Sequence, residues 1–178
     1  MAEFKAAFQK MLIHEGGYSN DPDDLGGETY QGIARAMHSN WHGWLLIDKH
    51  KNKTGFPSSL DEDAELKKEI DLFYWTNFWF PINADRIQNQ SIANSIFDFG
   101  VNAGIKTSVR LVQEIIGAEV DGLMGLQTLN RLNSFDYNHF LSAFIVAKIT
   151  HYIHLVEKYP ANKKYLYGWI IRALSFNE

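Results

Sequence analysis

Residues 14–33 read HEGGYSNDPDDLGGETYQGI, and how this stretch folds decides what the chain on either side of it can be. Upstream of it, Phe4, Phe8, Met11, Leu12 and Glu15 recur at three- and four-residue steps, the period of one helix face, until Gly16-Gly17 stops the pattern. Glu15 therefore stands in line with an apolar stripe, where a helix gives way to a loop rich in Asp and Gly. Partial desolvation is expected there, and it disfavours the charged form of a carboxyl, as a proton donor requires. The same residue also reads as a helix-terminal carboxylate, solvated or paired with a nearby Lys, beside aspartates that only form a turn. Asp21-Pro22 and Gly26-Gly27 are turn signals on either reading, and helical pattern resumes from Ile33 to Trp41.

A protonated carboxyl beside a polar loop suits glycosidic cleavage. That reaction needs an acid at the leaving oxygen and a second group that orients water or stabilises positive charge at the sugar. Asp21, Asp23, Asp24 and Thr29 are within the loop's reach of such a role. A calcium loop fits poorly: with Asp21 as first ligand, Leu25 and Gly32 fall where an oxygen donor and a bidentate Glu are required.

The composition narrows the field. The chain has 178 residues, of which 46% are hydrophobic, enough to bury a sizeable core. A formal charge of -4 gives no electrostatic reason to expect a nucleic-acid backbone or an anionic membrane as partner. With no cysteine, thiol catalysis and thiolate metal sites are excluded. The amino terminus lacks the pattern of a secretory signal, and no window reads as long enough to span a bilayer, so synthesis in the cytoplasm without stable membrane insertion is expected.

Beyond the opening loop, residues 48–62 are polar with Gly and Pro, and read as a surface loop or lid with no packed element. A helix is expected from a Ser59 cap to Pro81, and Tyr74, Trp75, Phe78 and Trp79 read as core more than as a sugar platform. IANSIFDFGVNAG gives a helix stopped at Gly104, TSVRLVQEIIG another, and three more follow, the longest closed by Pro160. The seven histidines are scattered without a carboxylate set for zinc, so no metal is expected. Strand alternation is scarce, and the chain reads as mainly α.

EGGYSNDPDDLGGETYQGI resembles the signature of the glycoside hydrolase family 108 muramidases, known from phage endolysins and from bacterial proteins once labelled secretion activators. The pattern is Glu-Gly-Gly-aromatic, Asn-Asp-Pro, a spaced Asp, Gly-Gly, then Thr and Gly-Ile. YWTNFWFPINADRI, IFDFGVNAG, VDGLMGLQTL and GWIIR follow in the family's order, so the resemblance covers nearly the whole chain. It implies a lysozyme-like, two-lobed helical fold with a minor β element, a catalytic region over residues 1–88 and a helical peptidoglycan-binding region over 89–178.

The resemblance also implies hydrolysis of the β-1,4 bond after N-acetylmuramic acid in bacterial peptidoglycan, with Glu15 as general acid and no cofactor. Asp24 follows Glu15 by nine residues and Thr29 by fourteen, close to the Glu, Asp, Thr spacing of phage-type lysozymes, with the Thr one residue short. Asp21 competes for the water-positioning role. Asn20, Asp21, Tyr30, Asp98 and Asn102 are the expected substrate contacts, although Asp98 and Asn102 could equally satisfy neighbouring backbone. Asp121-Gly122 and Thr128 resemble the core of a peptidoglycan-binding module and read equally well as a structural turn. Trp169 and Arg172 are expected to pin the last helix, with Arg172 in reach of an acidic loop residue. The protein is expected to act as a monomer, and on the wall after holin-type release, lysis or other export.

Overall fold

The Gln31-Gly32 pair turns the chain back on itself with φ of 44° and 79°, the double positive geometry that joins two strands through a two-residue hairpin. This is a computed structural model, in which residues 1–13, 15–20 and 27–175 are described. The expected site residues Asp21 and Asp24 lie outside them. Among the described residues are eight α-helices and one three-stranded sheet, so the fold is mainly α with a minor β element. The chain sorts into two units, Met11–Asn77, and Met1–Lys10 with Phe78–Glu178.

In the Met11–Asn77 unit, β1 (Tyr18–Asn20), β2 (Glu28–Tyr30) and β3 (Ile33–Ala34) form an antiparallel sheet in that order. Tyr18 pairs with Tyr30, Asn20 with Glu28, Tyr30 with Ile33 and Thr29 with Ala34. Side chains alternate across a sheet, so Tyr18, Glu28, Tyr30 and Ile33 share one face, while Ser19, Thr29 and Ala34 share the other. The expected helix from Ile33 to Trp41 is replaced by β3 and a run of turns, because the hairpin consumes Ile33 and Ala34. Such a short strand carries too little alternation to be read against a helical period.

Helix α2 (Gly43–His50) and α3 (Ala64–Tyr74) complete this unit. The segment between them corrects the expectation of an unpacked loop. Ser58–Glu62 forms a short 3-10 helix whose Leu60 is fully buried, and the His50 ring lies 3.1 Å from Ser59 Oγ and 2.8 Å from Asp63 Oδ2. The α3 cap is Asp63 and not Ser59: one carboxylate oxygen accepts from the Glu65 and Leu66 N–H groups, both at 2.9 Å. The bond from Leu66, then that from His50, holds the Asp63 carboxyl below its ordinary pKa.

In the other unit, α1 (Phe4–Leu12) contributes its first seven residues, joined by Ala2 N–H to Ile87 O at 2.8 Å. Phe4 meets Trp79 and Phe97 edge-on, and Trp79 Nε1 donates to Asp85 at 2.7 Å. The centre is α4 (Gln90–Ala103), buried at every position from Ile92 to Gly100. A helix hidden on all sides must be walled by others. The neighbours are α5 (Ile105–Ile116), α7 (Tyr137–Lys158) and, through α7, α8 (Leu166–Leu174), with α6 (Leu126–Ser134) against α5. By length and composition alone α7 could cross a membrane, against the sequence expectation. Here it packs through Phe140, Phe144, Lys148 and Tyr152 as a helix of this unit.

The double role of Asp63 gives a stability test. Asp63→Ala should lower the unfolding free energy by about 1–2 kcal/mol in urea denaturation, and Asp63→Asn, which keeps the cap oxygen, should lose less than half of that.

Candidate active site

Glu15 follows the end of α1, where its N–H donates to Leu12 O at 3.1 Å and closes a last turn. Its half-buried carboxyl rests over the hairpin turn. A Cβ at Gly32 would lie on Glu15 Oε2, 2.9 Å from Glu15 Cδ and 2.8 Å from the Tyr74 hydroxyl. No side chain other than hydrogen fits there. Tyr74, buried at the end of α3, donates its hydroxyl proton to Gln31 O at 2.6 Å. The end of α1, the β2–β3 turn and the end of α3 thus meet at one carboxyl group.

Thr29 is half-buried at the centre of β2, on the face opposite Tyr30. Asn20 ends β1, exposed, and belongs to the same unit as Glu15. Tyr30 lies in the core, 2% exposed, with its hydroxyl donating to Asp61 at 3.3 Å. Burial, then the Asp61 charge, pushes that phenol above its usual range.

A charged network behind the sheet was not foreseen. Glu28 Oε1 accepts from the Tyr18 hydroxyl at 3.0 Å and lies 2.8 Å from Lys51 Nζ, while Glu28 Oε2 lies 2.7 Å from Arg35 Nε. Arg35 reaches on to both oxygens of Asp48, at 2.6 and 3.1 Å, and its guanidinium sits 4.5 Å above the Trp44 ring. Burial opposes the Glu28 charge, but the Lys51 and Tyr18 bonds and the Arg35 and Lys51 charges outweigh it and hold the pKa below the ordinary value. These bonds fasten β2, beside Thr29, to α2. The signal was present in sequence only through the hairpin: once Tyr30 faces Ile33, Glu28 and Arg35 fall opposite each other.

Asp98 and Asn102 belong to the other unit. Asp98 is buried in α4 and receives Arg172 Nη2 at 2.8 Å and Nε at 3.0 and 3.2 Å. Arg172 therefore reaches a buried helix residue and not an acidic loop. Asn102 is exposed and accepts from the Tyr152 hydroxyl at 2.7 Å, and Trp169 stacks on Tyr152 with centroids 5.1 Å apart. Lys148, 1% exposed, donates to Ser95 Oγ at 3.0 Å and Ala173 O at 3.1 Å. Burial lowers its pKa to about 8 even though Asp98 opposes the shift. In the Asp121–Thr128 segment the buried Gln113 does the organising. Its Nε2 lies 2.7 Å from Asp121, 3.0 Å from Leu123 O and 3.2 Å from Thr128 Oγ1, and its Oε1 accepts Gly122 N–H at 2.8 Å.

Residues 8–104 match the family described as Glycosyl hydrolase 108, more than half of the chain. The chain belongs to the glycosyl hydrolase 108 family. Residues 107–174 match a family described as a predicted peptidoglycan domain. No curated protein matches the chain. Among solved structures it is similar to that of Brucella abortus SagA, with a TM-score of 0.62 and 21% identity over 98% of this chain and 95% of that one. At that identity the likeness is one of fold. This glycosyl hydrolase 108 protein is thus a lysozyme-like enzyme or binder of the cell wall, with peptidoglycan as its partner.

Two measurements follow from these contacts. Gly32→Ala forces a side chain into a positive φ and onto Glu15, and should cost about 2 kcal/mol or more in urea denaturation. For Lys148, a folded pKa near 8 against 10.5 unfolded means that the unfolded chain binds more protons between those values, so stability rises with pH across that window. Relative to Lys148→Met, the wild type should therefore gain on the order of 3 kcal/mol from pH 8 to 10.5.

Proposed function

We propose that this protein is a muramidase, cutting the β-1,4 bond between N-acetylmuramic acid and N-acetylglucosamine in bacterial peptidoglycan with Glu15 as general acid. The observation that carries the reading is the seating of the Glu15 carboxyl over a glycine turn, in a chain of the glycosyl hydrolase 108 family. Two elements besides its own hold that spot, so the carboxyl is positioned before substrate arrives, the form of preorganisation that catalysis needs.

In this reading the Glu15 proton passes to the glycosidic oxygen as the C1–O bond breaks, and the departing sugar keeps that proton as its hydroxyl. Water adds to C1 on the charge-deficient sugar and gives its own proton to a carboxylate. Thr29, on a strand fixed by the Glu28–Arg35–Asp48 network, is suited to orient that water together with Asp24, with Asp21 as the alternative. No metal or organic cofactor enters these steps. The substrate lies outside the cytoplasmic membrane, so the enzyme meets it after holin-type release, lysis or other export, the setting of an endolysin.

Incubating purified peptidoglycan with wild type and with Glu15→Gln, reducing the products and identifying the new end by mass spectrometry tests the assignment. Muramitol ends are expected from the wild type, with at least a hundredfold fewer from the variant. Glucosaminitol ends would move the cut to the other bond. A folded wild type that sediments with the glycan and releases nothing would make the protein a binder.

A further inference from the structure

The Met11–Asn77 unit holds an open cavity of about 470 Å³ between the turns after β3 and the outer face of α3. That volume falls in the range of small-ligand clefts, about 300–1,000 Å³. Its wall is an indole that cannot move far. A Cβ at Gly43 would come within 2.5 Å of three Trp41 ring carbons, so only glycine allows the ring to lie where it does. Trp44 meets Trp41 edge-on at 5.2 Å, and Phe73 packs on it tilted at 5.9 Å. The backbone beneath is fixed by His38 O, which accepts both the Trp41 N–H at 3.0 Å and the Trp44 indole N–H at 2.9 Å.

Polar groups surround this half-buried ring. The Asn77 side chain is anchored by Nδ2 donating to Phe73 O at 2.8 Å, and its amide oxygen is left to accept from a ligand. Asn40, Thr76 and the His42–Glu69 pair, 3.4 Å apart, supply further donors and acceptors. Leu72, 57% exposed, gives an apolar lip. No Lys or Arg is among the described lining residues, so nothing here selects a phosphate or a free carboxylate. A rigid aromatic face with amides, hydroxyls and one carboxylate at its rim matches a ring that is apolar on its faces and hydroxylated at its edge. The apolar lip matches an acetamido methyl group.

We propose that this cavity is a glycan-binding subsite for an N-acetylated hexopyranose, with Trp41 as the stacking platform and Asn77 as a polar contact at its edge. The inference rests on the glycan-substrate reading above and extends it to Trp41, which lies outside the quoted motifs, and to Asn77 within YWTNFWFPINADRI. Because the platform is held by Gly43, Trp44 and Phe73 before any ligand arrives, little side-chain entropy is lost on binding.

The test uses the full chain carrying Glu15→Gln, so that binding is read without cleavage, and chitotetraose as the probe. The five tryptophans give five indole N–H resonances, and the one absent from Trp41→Phe belongs to Trp41. On titration that resonance should shift, Trp41→Ala should weaken binding about tenfold, and Trp41→Phe should lose less than about threefold. Asn77→Ala, which leaves the aromatic packing alone, should weaken binding about fivefold and guards against misfolding in the tryptophan variant. A Trp41 resonance that stays in place, or unchanged affinity in both alanine variants, overturns the proposal. If the wild type still cuts peptidoglycan in that case, the muramidase reading stands and only the subsite falls. If the chain neither binds nor cuts glycan, both fall. A Trp41 shift without cleavage keeps the subsite and removes the hydrolase.

Discussion

The absence of a side chain at Gly32 is the constraint on which the proposed site depends. The Gln31-Gly32 turn needs positive φ at both residues, and the space above it is already taken by the Glu15 carboxyl and the Tyr74 hydroxyl. Tyr74 closes the arrangement by bonding the turn's own carbonyl at Gln31. A carboxyl at a helix end would ordinarily swing freely in water. Here the turn beneath it and the helix beside it restrict where it can be, and that restriction turns an acidic residue into a positioned one.

A second layer keeps the hairpin itself in place. Glu28 and Arg35 lie across the hairpin from each other, and Asp48 and Lys51 bring in the end of α2. Leaving this network half-made would be costly at Glu28, the most buried of its members, whereas Asp48 and Lys51 stay partly in water. The same principle operates in the other unit, where Asp98 and Lys148 are buried, Arg172 is partly so, and each finds a partner. There the charges serve to fix α7 and α8 against α4, and Gln113 does the corresponding work for the Asp121–Thr128 turn. Residues that a motif singles out as chemical can thus be spent on holding a fold.

Legibility in the sequence followed the length of the pattern. The long helices of the carboxyl-terminal half, the stop at Gly104 and the Pro160 boundary were readable because apolar residues repeat over several turns. The short strands, the Asp63 cap and the buried Leu60 were not. Two- and three-residue strands leave no period to detect, Ser59 offers the same capping chemistry as Asp63, and a single apolar residue in a polar run carries no pattern. Within the proposed site, Glu15 stood out because a carboxylate continues an apolar stripe. Tyr74 and Gly32 did not, since an aromatic at helical spacing and a glycine in a turn are commonplace until they are seen to touch the same group.

The sequence by itself determined the helical class, the absence of thiol chemistry, the family signature and the position of Glu15 at the end of its helix, all of which depend on residue type and local spacing. Only the tertiary structure decided which polar residues surround that carboxyl, which are buried as struts, and that Trp41 forms a cavity wall. The reason is physical: local spacing sets which face of an element a residue occupies, whereas partners such as Gln31 for Tyr74 and Asp98 for Arg172 stand 43 and 74 residues away, brought near by packing that no local pattern encodes.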